Sequence, residues 1–167
     1  ISRGLVGSEM CIRDRIRGQH NLKLFKSRYP NVLLSGTIGN FDGLHLGHQA
    51  ILEKIKNNAQ KYNAKTIVFF TEPHAAEYFS KVRDKNQIPP PRICPWREKF
   101  QLLKKSNIDF ACFLKFNSKL RTMSPDDFIS QILDSINLVS FTVGDDFRFG
   151  AGRKGCLLYT SPSPRDL

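Results

Sequence analysis

The ten residues "GNFDGLHLGH", Gly39 to His48, set two histidines, one aspartate and three glycines directly ahead of a segment with helical periodicity. Gly39 and Gly43 stand where a tight turn needs them, and His45 and His48 fall just ahead of or within the first helical turn. Amide groups at a helix start attract phosphate, and two imidazoles three residues apart can both reach an anion held there. As hydrogen-bond donors they would stabilise charge that grows on phosphate oxygens during a displacement. The chemistry indicated is the handling of a phosphate chain. A zinc site built from Asp42, His45 and His48 lacks a Cys or further His at a supporting spacing, so no metal ligand is assigned. The stretch does not meet the G-x-G-x-x-G dinucleotide pattern, and no G-x-x-x-x-G-K-[ST] phosphate loop occurs in the chain.

Strands and helices must alternate to place such a turn. "NVLLSGTIG" (Asn31–Gly39) reads as a buried strand, and Gly47 to Tyr62 as a helix with Ile51, Ile55, Ala59 and Tyr62 on one face. "TIVFF" (Thr66–Phe70) is the next strand, followed by a loop with little regular structure from Thr71 to Pro95, where "IPPPRICP" forbids a helix. Trp96–Ser106 reads as a helix and Asp109–Phe116 as a strand. At "SPDDF" a new helix begins, with Ser124 as cap, Pro125 in the first helical position and Asp127 at capping-box spacing. Leu138–Gly144 closes the series as a strand. This alternation predicts an α/β fold with a parallel sheet and helices on both faces. In such sheets ligands sit at the carboxyl ends of strands near a topological switch point. If both flanking strands are central, the turn at Gly39–His48 and the loop "GDDFRFGAGRKG" after the last strand share one crevice.

The chain has 167 residues, 40% of them hydrophobic, with a formal net charge of +11. One encoding of Cys156–Asp166 is the opposite strand of an encoding of Leu5–Asp14, a relation two unrelated protein ends have no physical reason to share. The shared element resembles a transposon-type sequencing adapter. Ile1–Arg15 and Cys156–Leu167 are therefore read as non-native, leaving one domain, Ile16–Gly155, expected to be incomplete at its C-terminus. Trimming these ends removes only one net positive charge. A basic balance favours polyanionic ligands, but the lysines are scattered and not interleaved with aromatics, so nucleic acid is not expected as a partner. No apolar run is long enough to span a bilayer. Cys94 and Cys112, the cysteines left after trimming, have no C-x-x-C spacing and fit a reducing cytoplasm.

"GNFDGLHLGH" resembles the G-x-F-D-G-x-H-x-G-H motif of the FMN adenylyltransferase module in prokaryotic bifunctional riboflavin kinase/FAD synthetases. Three further segments match in order. "TEPHAAEYF" (Thr71–Phe79) is similar to the family's F-x-P-H-P-x-x-x-F loop, and "PRICPWREKFQLL" (Pro91–Leu103) to its R-L-T-x-x-x-E-K segment. "VGDDFRFGAGRKG" (Val143–Gly155) is similar to V-G-x-D-F-R-F-G. The resemblance implies a Rossmann-like nucleotidyltransferase fold and a reaction in which FMN attacks the α-phosphorus of ATP, giving FAD and pyrophosphate with magnesium. Such a transfer asks mainly for positioning and charge neutralisation.

Carried over residue by residue, His45 and His48 would bind the ATP phosphates and stabilise the transition state. Gly39, Asn40, Phe41, Asp42, Gly43 and Gly47 would shape the nucleotide pocket, and Glu72, Pro73, His74, Asp146, Phe147 and Arg148 the flavin side. Arg148 or Arg153 could pair with a phosphate, and Phe147 or Phe149 could stack on a ring or pack the core. Ala75 stands where the family usually has the second proline of P-H-P, and Thr71 where an aromatic is usual, which would loosen the flavin loop. Family members continue with an S-S/T-x-x-x-R segment and a riboflavin kinase barrel, neither present before Gly155. The resemblance thus implies a chain of little activity by itself, with small-molecule nucleotides and flavin as partners, in the cytoplasm. Two other functions remain open at this point: a nucleotidyltransferase with a different acceptor, and a non-enzymatic basic module that binds polyanions.

Overall fold

The computed structural model describes residues 14–83, 91, 94–144, 147 and 150–153. Its centre is a sheet of five parallel strands: β1 (Asp14–Arg17), β2 (Leu34–Ile38), β3 (Lys65–Glu72), β4 (Phe110–Lys115) and β5 (Leu138–Thr142). Their spatial order is β1-β4-β3-β2-β5. From β2 the chain steps outward through β3 to β4, then returns to lay β5 on the other side of β2. That reversal makes the β2–β5 boundary the topological switch point. β5 is an edge strand among the described residues rather than a central one, and its pairing with β2 sets the carboxyl ends of those two strands side by side.

The connecting helices are α1 (Asn21–Arg28), α2 (Leu46–Lys61), α3 (Ala75–Arg83), α4 (Trp96–Lys105), α5 (Ser118–Thr122) and α6 (Pro125–Phe128), which runs on as one π-helical turn over Ile129–Leu133. A short 3-10 turn follows at Ala151–Arg153. Successive strand residues point to opposite faces of a sheet, and β3 shows the result. Ile67 and Phe69 join a core with Leu22 and Phe25 of α1 and with Leu120, Phe128 and Ile132 from the α5–α6 region. Val68 and Phe70 join a second core with Leu52 and Ile55 of α2 and Leu103 of α4. Helices therefore cover both faces, and each fully buried Phe contributes on the order of 1.5–3 kcal/mol of transfer free energy.

Three differences from the sequence reading have local causes. The segment after β3 is not all loop: α3 begins two residues beyond Pro73, and the imidazole of His74 accepts the Ala76 amide at 3.1 Å in place of the usual short polar cap. Second, the apolar face of α2 is Leu52, Ile55 and Ala59, with Ile51 partly buried. Tyr62 is the C-cap residue and is 38% exposed, its ring beside the Lys61 ammonium. Third, the sequence reading placed no element before Asn31, yet β1 and α1 lie there, and β1 starts at Asp14, within the stretch read as non-native. At Ser124 the expected cap is present: its hydroxyl oxygen accepts the Asp127 amide at 3.0 Å and its proton goes to the Asp127 carboxylate at 2.7 Å.

Candidate active site

β2 ends at Ile38, and the chain turns through Gly39–Leu44 before α2 starts with His45 as its N-cap residue. The turn is fixed by burial. Phe41 is fully buried and Leu44 nearly so, and both adopt positive φ, 47° and 42°, with Gly43 at 73° between them. Left-handed backbone is costly for residues with a Cβ, so packing of these two side chains into the α2–α4 core must hold the conformation. A Cβ on Gly39 would come within 3.0 Å of the Phe41 ring, and one on Gly47 within 3.2 Å of the His45 ring. Both glycines leave space for a neighbouring ring. The Gln49 side chain closes the turn by donating to the Leu44 carbonyl at 2.9 Å.

The two histidines stand against each other. Their rings are stacked at 3.7 Å between centroids, and the Phe41 ring lies 4.9 Å from that of His48. His45 is exposed and His48 half-buried. Nδ1 of His48 is buried and makes no hydrogen bond to the protein. Such an atom carries a desolvation cost unless a ligand satisfies it. Burial lowers the pKa of His48 below its usual value of 6.5, helped by the neighbouring His45 and Lys99 and opposed by Asp42. The imidazole is therefore held neutral through the physiological range, ready to donate or accept without bringing a permanent charge.

Asp42 has a structural task as well. Its Oδ1 accepts the Cys94 amide at 2.8 Å, tying the turn to the segment that opens α4. Among the described residues no group of three or more His, Cys, Asp or Glu side chains stands together as a metal site.

One positive charge at this site was not singled out from sequence. Lys99, on the second turn of α4, is only 6% exposed, with its ammonium 5.5 Å from the centre of the Phe70 ring. It acts electrostatically on both His48 and Cys94. In the sequence it looked like one lysine among many; the available signal was its place on the apolar side of a helix that carries Phe100 and Leu103. Cys94 is buried beside it, and burial together with Glu98 and Asp42 pushes its thiol pKa up.

The residues expected on the flavin side are less gathered. Glu72 ends β3, Pro73 follows through a cis peptide, and His74 caps α3, all three half-buried. Phe147 packs against the core that holds Phe128 and Leu133, the packing alternative for that ring. Asp146, Arg148 and Phe149 lie outside the described residues, as does the side chain of Arg153. Beyond them the loop is fastened at Ala151, whose amide donates to the Met123 carbonyl at 2.7 Å.

A parallel sheet with its switch point at β2–β5, and paired histidines opening the helix after β2, defines a Rossmann-type nucleotidyltransferase fold. The family model described as FAD synthetase matches residues 31–162, and the chain belongs to the FAD synthetase family. It is 40% identical over 141 residues to the "Bifunctional riboflavin kinase/FMN adenylyltransferase" of Buchnera aphidicola subsp. Acyrthosiphon pisum, covering 84% of this chain and 42% of that one. Against the protein of the same description from Escherichia coli strain K12 the identity is 39% over 144 residues, covering 86% and 43%. The chain thus spans less than half the length of these relatives. Among solved structures, a Streptococcus pneumoniae protein titled a macrolide-efflux protein superposes with a TM-score of 0.63 at 20% identity, over 86% of this chain and 44% of that one, a likeness of fold alone.

Proposed function

We propose that this chain is the front part of an FMN adenylyltransferase module, which transfers AMP from ATP to FMN. The observation that carries the reading is the stacked His45–His48 pair at the switch point, with a buried Nδ1 on His48 left for a ligand, in a chain of the FAD synthetase family. In the step itself, a phosphate oxygen of FMN forms a bond to the α-phosphorus of ATP while the bond from that phosphorus to the bridging oxygen breaks and pyrophosphate leaves. FMN phosphate is already an anion at neutral pH, so no strong base is required. His45 and His48 hold the triphosphate by hydrogen bonds that strengthen as charge develops on its oxygens. Gly39, Asn40, Phe41, Asp42, Gly43 and Gly47 wall the nucleotide, and Lys99 adds a nearby positive charge. The resemblance assigns the flavin side to Glu72, Pro73, His74, Asp146 and Arg148, and Phe147 is kept as a core residue. Magnesium would arrive on the phosphates of ATP rather than on a protein cage, as suits its preference for water and phosphate oxygen. The reading places the protein in the cytoplasm, with a riboflavin kinase domain on the complete chain, as in the relatives' descriptions. No helix among the described residues is long and apolar enough to cross a membrane.

The test is FAD formation from FMN and ATP by the chain completed with the C-terminal portion of the Escherichia coli relative. His48→Ala should lower kcat/KM by about 10²–10³ while leaving the fold intact by circular dichroism. An active completed enzyme that ignores this substitution would refute the role of the pair. Transfer of AMP to nicotinamide mononucleotide or phosphopantetheine, with none to FMN, would refute the acceptor.

A further inference from the structure

α2 lies on the sheet face that carries Val68 and Phe70 of β3. Strand residues alternate between faces, and neighbours in register share one; β2 sets Ser35 beside Thr66 and Thr37 beside Val68. Ser35 and Thr37 therefore face α2. Gly36 faces the other way, where a Cβ would meet Leu138 and Ile67 of the opposite core. From the helix side, His48 stands at the head of the stripe that continues through Leu52, Ile55 and Ala59, the buried face of α2. The chain reverses in the turn after β2, so the first turn of α2 comes back over the carboxyl end of that strand, where Thr37 lies.

Among the described residues, the side-chain polar atoms buried without a hydrogen-bond partner are Ser35 Oγ, Thr37 Oγ1 and His48 Nδ1, and all three fall in this one layer. Ser35 and Thr37 are 0% exposed. The layer is polar further down as well: the Asn58 side chain of α2 donates to the Ser140 hydroxyl of β5 at 2.8 Å, and Ser140 is the register neighbour of Ser35. Buried polar atoms left unpaired are costly, and an ordered water is the usual partner where the protein supplies none. A threonine hydroxyl can donate to such a water, and the water can donate to an imidazole nitrogen that carries no proton. His48 is half-buried with Nδ1 as its buried nitrogen, so Nε2 is the one turned to the open side.

We propose that Thr37 is a positioning residue for His48: an ordered water between β2 and α2 accepts from the Thr37 hydroxyl and donates to His48 Nδ1, which fixes the imidazole with its proton on Nε2. The ligand of Nδ1 is then water, and the phosphate chain meets Nε2. In this tautomer the ring presents an N–H donor to the oxygens on which charge grows. Its neutral form is the one that burial favours. The consequence for catalysis rests on the transferase proposed above; the bridge itself does not.

Long-range nitrogen–proton NMR spectra of the 167-residue chain near neutral pH report which imidazole nitrogen holds the proton. In the unaltered chain His48 should be the Nε2–H tautomer, and the Thr37 methyl should show cross-relaxation with a bound water. Thr37→Val keeps the shape without the hydroxyl and should raise the ratio of Nδ1–H to Nε2–H by about three- to tenfold, the change expected of one ordinary hydrogen bond. Thr37→Ser should keep the original ratio, as should Ser35→Ala, which removes a hydroxyl deeper in the same layer. In the completed enzyme Thr37→Val should lower kcat and kcat/KM alike, by about tenfold, with Thr37→Ser close to the unaltered enzyme. A predominant Nδ1–H tautomer or no bound water in the unaltered chain, no shift in Thr37→Val, an equal shift in Ser35→Ala, or an unchanged kcat in an active Thr37→Val enzyme would overturn the role of Thr37. The spectra need no FAD. A shift rescued by serine in a completed enzyme that makes no FAD would remove the transferase and keep the bridge, whereas FAD formation without any shift would remove the bridge and keep the transferase.

Discussion

Two segments leave the carboxyl edge of the sheet side by side, and they are built differently. The turn after β2 drives Phe41 and Leu44 into the core and tolerates left-handed backbone at both. The segment after β3 sits half-buried, and α3 turns polar groups inward, with Glu77 and Ser80 buried while Val82 is 60% exposed. Its rings Tyr78 and Phe79 meet each other and Phe116, which itself packs at the margin of the larger core. The difference teaches that the turn proposed to handle phosphate is preorganised by packing, whereas the side proposed to meet the flavin is held mainly by caps and ring contacts. Charge developing on a phosphate rewards fixed donors; an acceptor that must enter and leave is better served by a less committed wall.

Truncating one ring in each segment tests this contrast most strongly. Phe41→Ala should cost about 3–5 kcal/mol of unfolding free energy, the usual loss for a buried Phe, and Tyr78→Ala no more than about 1.5 kcal/mol, both read from urea denaturation. Equal losses would dissolve the comparison. Next in size, Lys99→Met should lower kcat/KM of the completed enzyme about tenfold, near 1.4 kcal/mol in the barrier. It should also raise the His48 pKa toward its ordinary value, visible by NMR titration. Stability should change little, since an apolar residue replaces a desolvated charge.

Smaller again, His74→Ala removes the cap of α3 and should cost about 0.5–2 kcal/mol, with faster amide exchange confined to that helix. Weakest is a pH effect. The folded-state pKa of His48 is depressed, so the unfolded chain takes up its proton first as pH falls. The contribution of His48 to stability is complete above the usual value of 6.5 and is lost as pH drops below it through the folded pKa. His48→Gln should flatten that part of the stability profile; an unchanged profile would assign the acid sensitivity elsewhere.

Much of this was legible in the chain itself. Strands β2 to β5 and helices α2, α4 and α6 follow from apolar period and cap chemistry, signals that lie within each segment even where the partner is distant, as β2 is for β5. α3 escaped because its cap is a histidine and it follows a proline, two features that resemble a loop. The paired histidines were visible as a motif, but their stacking was not, since it depends on Gly47 leaving space for the His45 ring. Lys99 could not be distinguished from surface lysines by spacing. Its burial arises when α4 is drawn onto the turn by a bond between residues far apart in the chain.

That bond, from the Cys94 amide to Asp42, turns a backbone proton into an indicator. It lies at a helix start, where no intrahelical carbonyl would protect it, so its protection depends on the carboxylate of the histidine turn. Any nucleotide that shifts the turn must change the rate at which this one proton exchanges with solvent. A single resonance, followed in deuterated buffer, would thus register occupancy of the site without any label on the ligand.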